Sequence, residues 1–204
     1  MSYHKFAYCF GDYDDIDAHG YATFGDAAHI TGSTTPIQPF DGDDKYPYYF
    51  LKLESISVDN STLPILNGTF TVTREYPSGF VIDSGATYTF LKRTAFKILV
   101  DYIAQNWNYK NRVADPTNTN FELCYKSNVY DIKFAPVISL QFPGVDLQLP
   151  LWNTWLKVKD DIYCLTMLPT DGVSILGNFQ QQNHNIGYDL ENLVVSFDFM
   201  YCTD

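Results

Sequence analysis

The segment Gly79 to Leu91, GFVIDSGATYTFL, holds the residues best placed to do chemistry. An apolar run ends at Asp83, Ser84 and Gly85 turn the chain, and a second largely apolar run follows. Glycine permits a tight turn because it has no Cβ to clash. A carboxylate held in such a loop can accept hydrogen bonds from backbone N–H groups and a neighbouring hydroxyl, which fixes its orientation for proton transfer. The bare triplet Asp-Ser-Gly arises by chance in roughly one chain in twenty of this size. Alone it marks an ordinary strand-to-loop turn. A second segment further along adds Ile175-Leu176-Gly177, an amide-rich run from Gln180 to Asn185, Tyr188-Asp189, and the apolar stretch Leu193 to Phe197.

Other polar residues invite plainer readings. His184 is expected in a solvated turn of the Gln/Asn-rich run, and Trp152 and Trp155 are expected to pack. Asp12, Asp14, Asp15 and Asp17 lack the glycine and distal glutamate of a calcium loop. The cysteines form no C-x-x-C pair, and the histidines (His4, His19, His29, His184) are scattered. Neither zinc nor any other metal or cofactor is expected.

The elements that must position Asp83 are mostly strands. In Tyr48 to Val58, Leu51 and Leu53, then Ile56 and Val58, alternate with polar residues, with one irregularity near Glu54-Ser55. Thr69 to Thr73, Gly79 to Ile82, Val137 to Phe142, Ile162 to Leu165 and Leu193 to Phe197 read as further short strands. One helix stands out at about Lys92 to Trp107, where Phe96, Leu99, Val100 and Ile103 fall on one face. Asn106 to Asn120 reads as a polar loop. Many short strands with one real helix predict a single, mainly β domain.

Composition narrows the function. Hydrophobic residues make up 46% of the 204-residue chain and aromatics 17%, enough for a packed core. The net charge of −11, with no Lys/Arg run, argues against nucleic acid, because a phosphate-binding surface needs clustered cations. No stretch approaches the 18 or more apolar residues of a membrane span. Four cysteines, Cys9, Cys124, Cys164 and Cys202, allow three pairings. Two sequons, at Asn60 and Asn67, mark expected glycosylation sites. Cysteines and sequons together favour an oxidising compartment, secreted or vacuolar. The start lacks a signal-peptide profile, so the chain is expected to be a piece of a longer precursor.

An apolar strand ending in Asp-Ser-Gly, then apolar-apolar-Gly, then Tyr-Asp and Val-Val-Ser-Phe strands resembles the C-terminal lobe of pepsin-like aspartic proteases. The runs ILGNFQQQN and YDLENLVVSF look like the plant nepenthesin-type branch, which also includes xylanase-inhibitor proteins. KFAYCF at Lys5 to Phe10 and FGDAA at Phe24 to Ala28 resemble that branch at the crossing between its lobes. The resemblance implies one lobe of the pepsin-like fold, a psi-shaped loop in a barrel-like β lobe with one prominent helix. Residues 1–47 would be interlobe and lead-in strands and 48–204 the lobe core. It implies that Asp83 is one of two catalytic aspartates, supported by Ser84, Gly85, Ile175, Leu176 and Gly177, with Ala86, Thr87 and Tyr88 near the substrate. It implies disulfides Cys9–Cys202 and Cys124–Cys164.

The second aspartate would come from an N-terminal lobe, the expected partner, since no other Asp-Thr/Ser-Gly occurs here. Two such carboxylates share a proton because like charges that close cannot both ionise. The pair would hydrolyse peptide or protein substrates, and the isolated chain would be inactive. Ala86 stands where the family usually carries Thr or Ser, removing a hydroxyl expected to bond the outer oxygen of Asp83. That loss should shift the pair toward a less acid optimum. The alternative is a non-catalytic inhibitor or binding protein of the xylanase-inhibitor type. A homodimer pairing two copies of Asp83 is a third reading.

Overall fold

A computed structural model describes residues 4–15, 17–40, 48–73, 78–107, 111–127 and 132–202. Among these, the strands are β1 (Lys5–Cys9), β2 (Tyr21–Phe24), β3 (Ser33–Gln38), β4 (Tyr49–Leu51), β5 (Ser55–Val58) and β6 (Ser61–Thr62). Next come β7 (Phe80–Ile82), β8 (Thr89–Lys92), β9 (Arg112–Val113), β10 (Cys124–Lys126), β11 (Ile138–Phe142) and β12 (Val145–Leu149). The rest are β13 (Trp155–Lys159), β14 (Ile162–Leu165), β15 (Met167–Thr170), β16 (Ser174–Leu176), β17 (His184–Asp189) and β18 (Val194–Phe199). The α-helices are α1 (Arg93–Asn106) and α2 (Asn178–Gln181).

A ten-stranded sheet runs in the order β15-β8-β16-β7-β4-β3-β18-β17-β1-β2, flanked by the sheets β13-β14-β10-β9 and β12-β11-β5-β6. The domain is mainly β with one prominent helix, the architecture of a pepsin-like lobe. Helix α1 buries Phe96, Leu99, Val100 and Ile103, the face its sequence period defines, and packs on β8 and β15. The irregularity near Glu54 is a change of sheet. Strand β4 pairs with β3 and β7, whereas β5 pairs with β11 and β6. Alternation therefore continues through a point where the strand has ended.

Three expectations fail. Trp152 does not pack but is 41% exposed, whereas Trp155 is buried. Thr69 to Thr73 is no strand: Thr69 N and Oγ1 both donate to Leu66 O, which closes a turn through Gly68. Phe70 still reaches the core, edge-on to Phe80. Nor is the run Gln180 to Asn185 a solvated turn. Gln180 to Asn185 are all buried, the first two in α2 and His184 onward in β17. His184 is 3% exposed. Their amides are tolerated because each is paired, as buried polar groups must be.

The two disulfides join Cys9 to Cys202 and Cys124 to Cys164. Cys124 and Cys164 sit opposite each other on β10 and β14. Asp115 lies close to that pair, but the two sulfurs are bonded to each other and are not free thiolates. Among the described residues, no helix is long and apolar enough to cross a membrane.

Candidate active site

Strand β16 lies between β7 and β8, parallel to the first and antiparallel to the second. The loop 83–88 that joins β7 to β8 therefore wraps past the end of β16, giving the shape of a psi. The apolar residues Phe80, Val81 and Ile82 are all buried, so β7 enters the core and Asp83 is the first residue to leave it, partly exposed. Asp83 N donates to Leu176 O at 3.1 Å, which ties the aspartate to the end of β16.

The carboxylate has a defined orientation. Gly85 N donates to Asp83 Oδ1 at 2.8 Å. Among the described residues nothing donates to Oδ2. Residue 86 is alanine, so it offers no hydroxyl to that oxygen. The outer part of the loop is held by α2. Asn178 N donates to Ala86 O at 2.7 Å, Phe179 N to Thr87 O at 3.0 Å, and Asn178 Nδ2 to Ser84 O at 3.0 Å. Gly177 is needed between them: a Cβ there would lie 2.3 Å from Tyr88 C and O. Its N–H donates to Thr89 Oγ1 at 3.1 Å.

The structure thus brings Asp83, Ser84, Gly85, Ala86 and Tyr88 together with Ile175, Leu176 and Gly177. Ser84 and Thr87 are exposed, and among the described residues the Ser84 hydroxyl has no partner. The half-buried Tyr88 packs edge-on to Phe121 and tilted against Phe179, and burial raises its hydroxyl above the usual tyrosine range. Asn60 and Asn67 are both exposed, as sequons must be to carry a glycan.

Sequence reasoning missed the layer beneath the loop. Gln181 Nε2 donates to Leu176 O at 2.8 Å and reaches Asp83 O at 3.4 Å. Its Oε1 accepts from the Tyr8 hydroxyl, which in turn lies 3.3 Å from that of Tyr188. Both carbonyls can only accept, so the amide orientation is fixed and Tyr8 must donate. Burial, first of all, pushes both tyrosine hydroxyls well up from their ordinary value, so they remain protonated donors. Gln180 does similar work one residue earlier. Its Oε1 accepts from Thr89 N at 2.9 Å, and its Nε2 donates to Asn153 O at 2.8 Å. The run of three glutamines was the available signal; its burial was not.

A strand ending in a part-exposed aspartate, a psi-shaped loop and a glycine wedged beside it define a lobe of the pepsin-like class. A family model described as xylanase inhibitor C-terminal matches residues 48–198, and the chain belongs to that family. A probable aspartic protease of Arabidopsis thaliana is 35% identical over 167 residues, covering 78% of this chain and 37% of the relative. Nepenthesin-2, an aspartic proteinase of Nepenthes gracilis, is 30% identical over 198 residues, covering 95% and 44%. Among solved structures, edgp superposes with a TM-score of 0.77 at 16% identity, covering 96% of this chain and 54% of that one. Basic 7S globulin from soybean gives 0.75 at 18%, covering 97% and 52%. At such identities the two structures establish the fold alone. The chain spans less than half the length of these two relatives and about half of the two solved chains. It is a homologue of plant aspartic proteases and xylanase-inhibitor proteins, and its two disulfides suit an oxidising compartment of the extracellular type.

Proposed function

We propose that this chain is one lobe of a two-lobed, secreted or vacuolar aspartic endopeptidase, and that Asp83 is the carboxylate it contributes. Residues 1–47 then supply interlobe and lead-in strands, and 48–204 the lobe core. The reading rests on the presentation of Asp83: one oxygen held by Gly85 N–H, the other without a donor among the described residues. A matching aspartate from an N-terminal lobe would share a proton with it across the interface. One carboxylate takes a proton from water as the water oxygen attacks the peptide carbonyl carbon; the other donates its proton to the carbonyl oxygen. Collapse of the resulting tetrahedral species breaks the C–N bond as the amine takes up a proton. Thr87 and Tyr88, on the outer side of the loop, would border the substrate, and Ser84 would reach toward the other lobe.

The test is Asp83→Asn in the intact protein, assayed on a peptide library at acid pH. Peptidase activity should fall by roughly 10²–10⁴-fold while the melting temperature holds. Full activity in the variant would show that Asp83 is structural. The isolated chain should cleave nothing.

A second reading has its own support. The matching family model is that of xylanase inhibitors, which supports a non-catalytic inhibitor or binding protein. The other lobe decides. An intact protein with no aspartate in the matching loop, and no peptidase activity, would establish the binding protein.

A further inference from the structure

The turn through Gly68 carries the chain's one Asn-Gly pair, Asn67-Gly68. An asparagine can lose its side-chain amide to its own main chain: the backbone nitrogen of the next residue attacks Cγ and closes a five-membered ring. Glycine in second place makes this easiest, because no Cβ crowds the attacking nitrogen. In a folded protein the step also needs an unrestrained asparagine amide, a following N–H that no acceptor holds, and room around both.

Asn67-Gly68 meets all three conditions. Both residues are exposed, and Leu66 before them is 81% exposed. Among the described residues neither the Asn67 amide nor the Gly68 N–H makes a hydrogen bond. The bonds that close the turn run from Thr69 N and Oγ1 to Leu66 O, and from Thr71 N to Gly68 O. Apart from its chain neighbours, the one atom within 4 Å of a Cβ placed on Gly68 is Thr71 Oγ1, at 3.6 Å.

Other exposed asparagines are restrained at the nitrogen that follows them. After Asn106, Trp107 N donates to Ile103 O at 2.8 Å. After Asn118, Thr119 N donates to Thr117 Oγ1 at 3.3 Å, and after Asn120, Phe121 N donates to Asp115 Oδ2 at 3.0 Å. Ser61, which follows Asn60, is paired with Val58 in the β5–β6 ladder. The sharpest contrast is Asp171-Gly172, which could close the same ring with loss of water. There Gly172 N donates to Thr170 Oγ1 at 2.9 Å, and Arg93 holds both Asp171 oxygens.

We propose that Asn67 is a self-modifying site, converted through a succinimide to aspartate and isoaspartate in chains that carry no glycan there. Hydroxide takes the Gly68 N–H proton, the nitrogen bonds to Asn67 Cγ, and the Cγ–Nδ2 bond breaks as Nδ2 leaves as ammonia with a proton from water. One water then opens the ring. Attack at Cγ gives aspartate; attack at the Asn67 main-chain carbonyl carbon gives isoaspartate, with the chain rerouted through Cγ. Water enters, ammonia leaves, and nothing is oxidised or reduced. A glycan would be joined through Nδ2, the atom that departs, so the two fates exclude each other. The product places a new carboxylate on a turn that lines a groove of about 550 Å³ together with Lys52 and Glu54. The site is independent of whether Asp83 is catalytic.

The experiment makes the intact protein in a bacterial host, without glycans, and incubates it for several weeks near neutral pH. Peptide mapping should find the peptide containing Asn67 heavier by the difference between OH and NH₂, as a mixture of aspartate and isoaspartate, with Asp171 unisomerised. The rate should rise at least about tenfold from about pH 5 to about pH 8, because the attacking nitrogen must first lose its proton. Gly68→Ala should slow the conversion about tenfold or more. Should that variant reshape the turn, unfolding the wild-type chain in urea gives a second measure. The folded rate at Asn67 should stay within about tenfold of the unfolded one, whereas folding should suppress Asp171 isomerisation much further. No conversion, aspartate without isoaspartate, an unchanged rate in Gly68→Ala, or equal suppression of both sites by folding would overturn the proposal.

Discussion

The loop 83–88 and the run 178–185 behind it are both rich in polar residues, and the fold treats them in opposite ways. Ser84, Gly85 and Thr87 face solvent, and their loop takes its shape from backbone groups donated by α2. Gln180 through Asn185 are buried, and there the side chains do the bonding. Polarity in sequence therefore says little about exposure. What separates the two stretches is whether each polar atom finds a partner in the protein or in water. Loop residues should be cheap to truncate, and buried amides expensive.

Four measurements would break or sharpen that contrast. The largest effect is expected at their junction: Gly177→Val, whose Cβ would meet the Tyr88 carbonyl at 2.3 Å, should cost more than about 4 kcal/mol and prevent folding at ordinary temperature. A soluble variant with wild-type melting would mean that the loop can move aside. Gln180→Leu keeps the volume but strands Thr89 N and the Asn153 carbonyl; urea unfolding should show a loss of about 2–4 kcal/mol. A loss below about 1 kcal/mol would contradict the account of the buried run.

The third measurement concerns acid, and Asp189 supplies it. Hydrogen bonds from the Asn192 side chain, with the Asn192 backbone and Lys5 adding to them, hold its carboxyl down at about 2. A depressed carboxyl stabilises the fold above its unfolded value near 4, and that contribution is lost as pH falls from about 4 to about 2. Asp189→Ala should cost about 1–2 kcal/mol at pH 7 and flatten the stability curve across that window. An unchanged acid limb would assign the sensitivity to other groups. The smallest effect belongs to the exposed loop: Thr87→Ala should change stability by less than about 0.5 kcal/mol. If it costs as much as Gln180→Leu, the contrast collapses.

Much of the site could be read before any coordinates. Asp83 had to follow a buried strand because Phe80, Val81 and Ile82 are uniformly apolar. The face of α1 followed from its period. Pairing beyond the local chain was not readable from composition or period. Nothing local in Gln181 tells that Tyr8, at the other end of the chain, donates to it. Likewise Phe70 is buried from a turn, because core position depends on where Phe80 lies rather than on strand period. His184 looked solvated for the same reason: its partners, the Gln182 carbonyl and the Phe199 ring, come from backbone geometry and a neighbouring strand.

The bond between Cys9 and Cys202 spans a sequence separation of 193 residues and makes almost the whole chain a closed covalent ring. A force applied outside those two cysteines would peel only the Lys5–Tyr8 part of β1 from β17 and β2 and then fall on the sulfur link, bypassing the other β-ladders. In a single-molecule stretching experiment the lobe should therefore yield almost no contour length when oxidised. Adding reductant would let the ladders bear load, and nearly the full chain should then pay out.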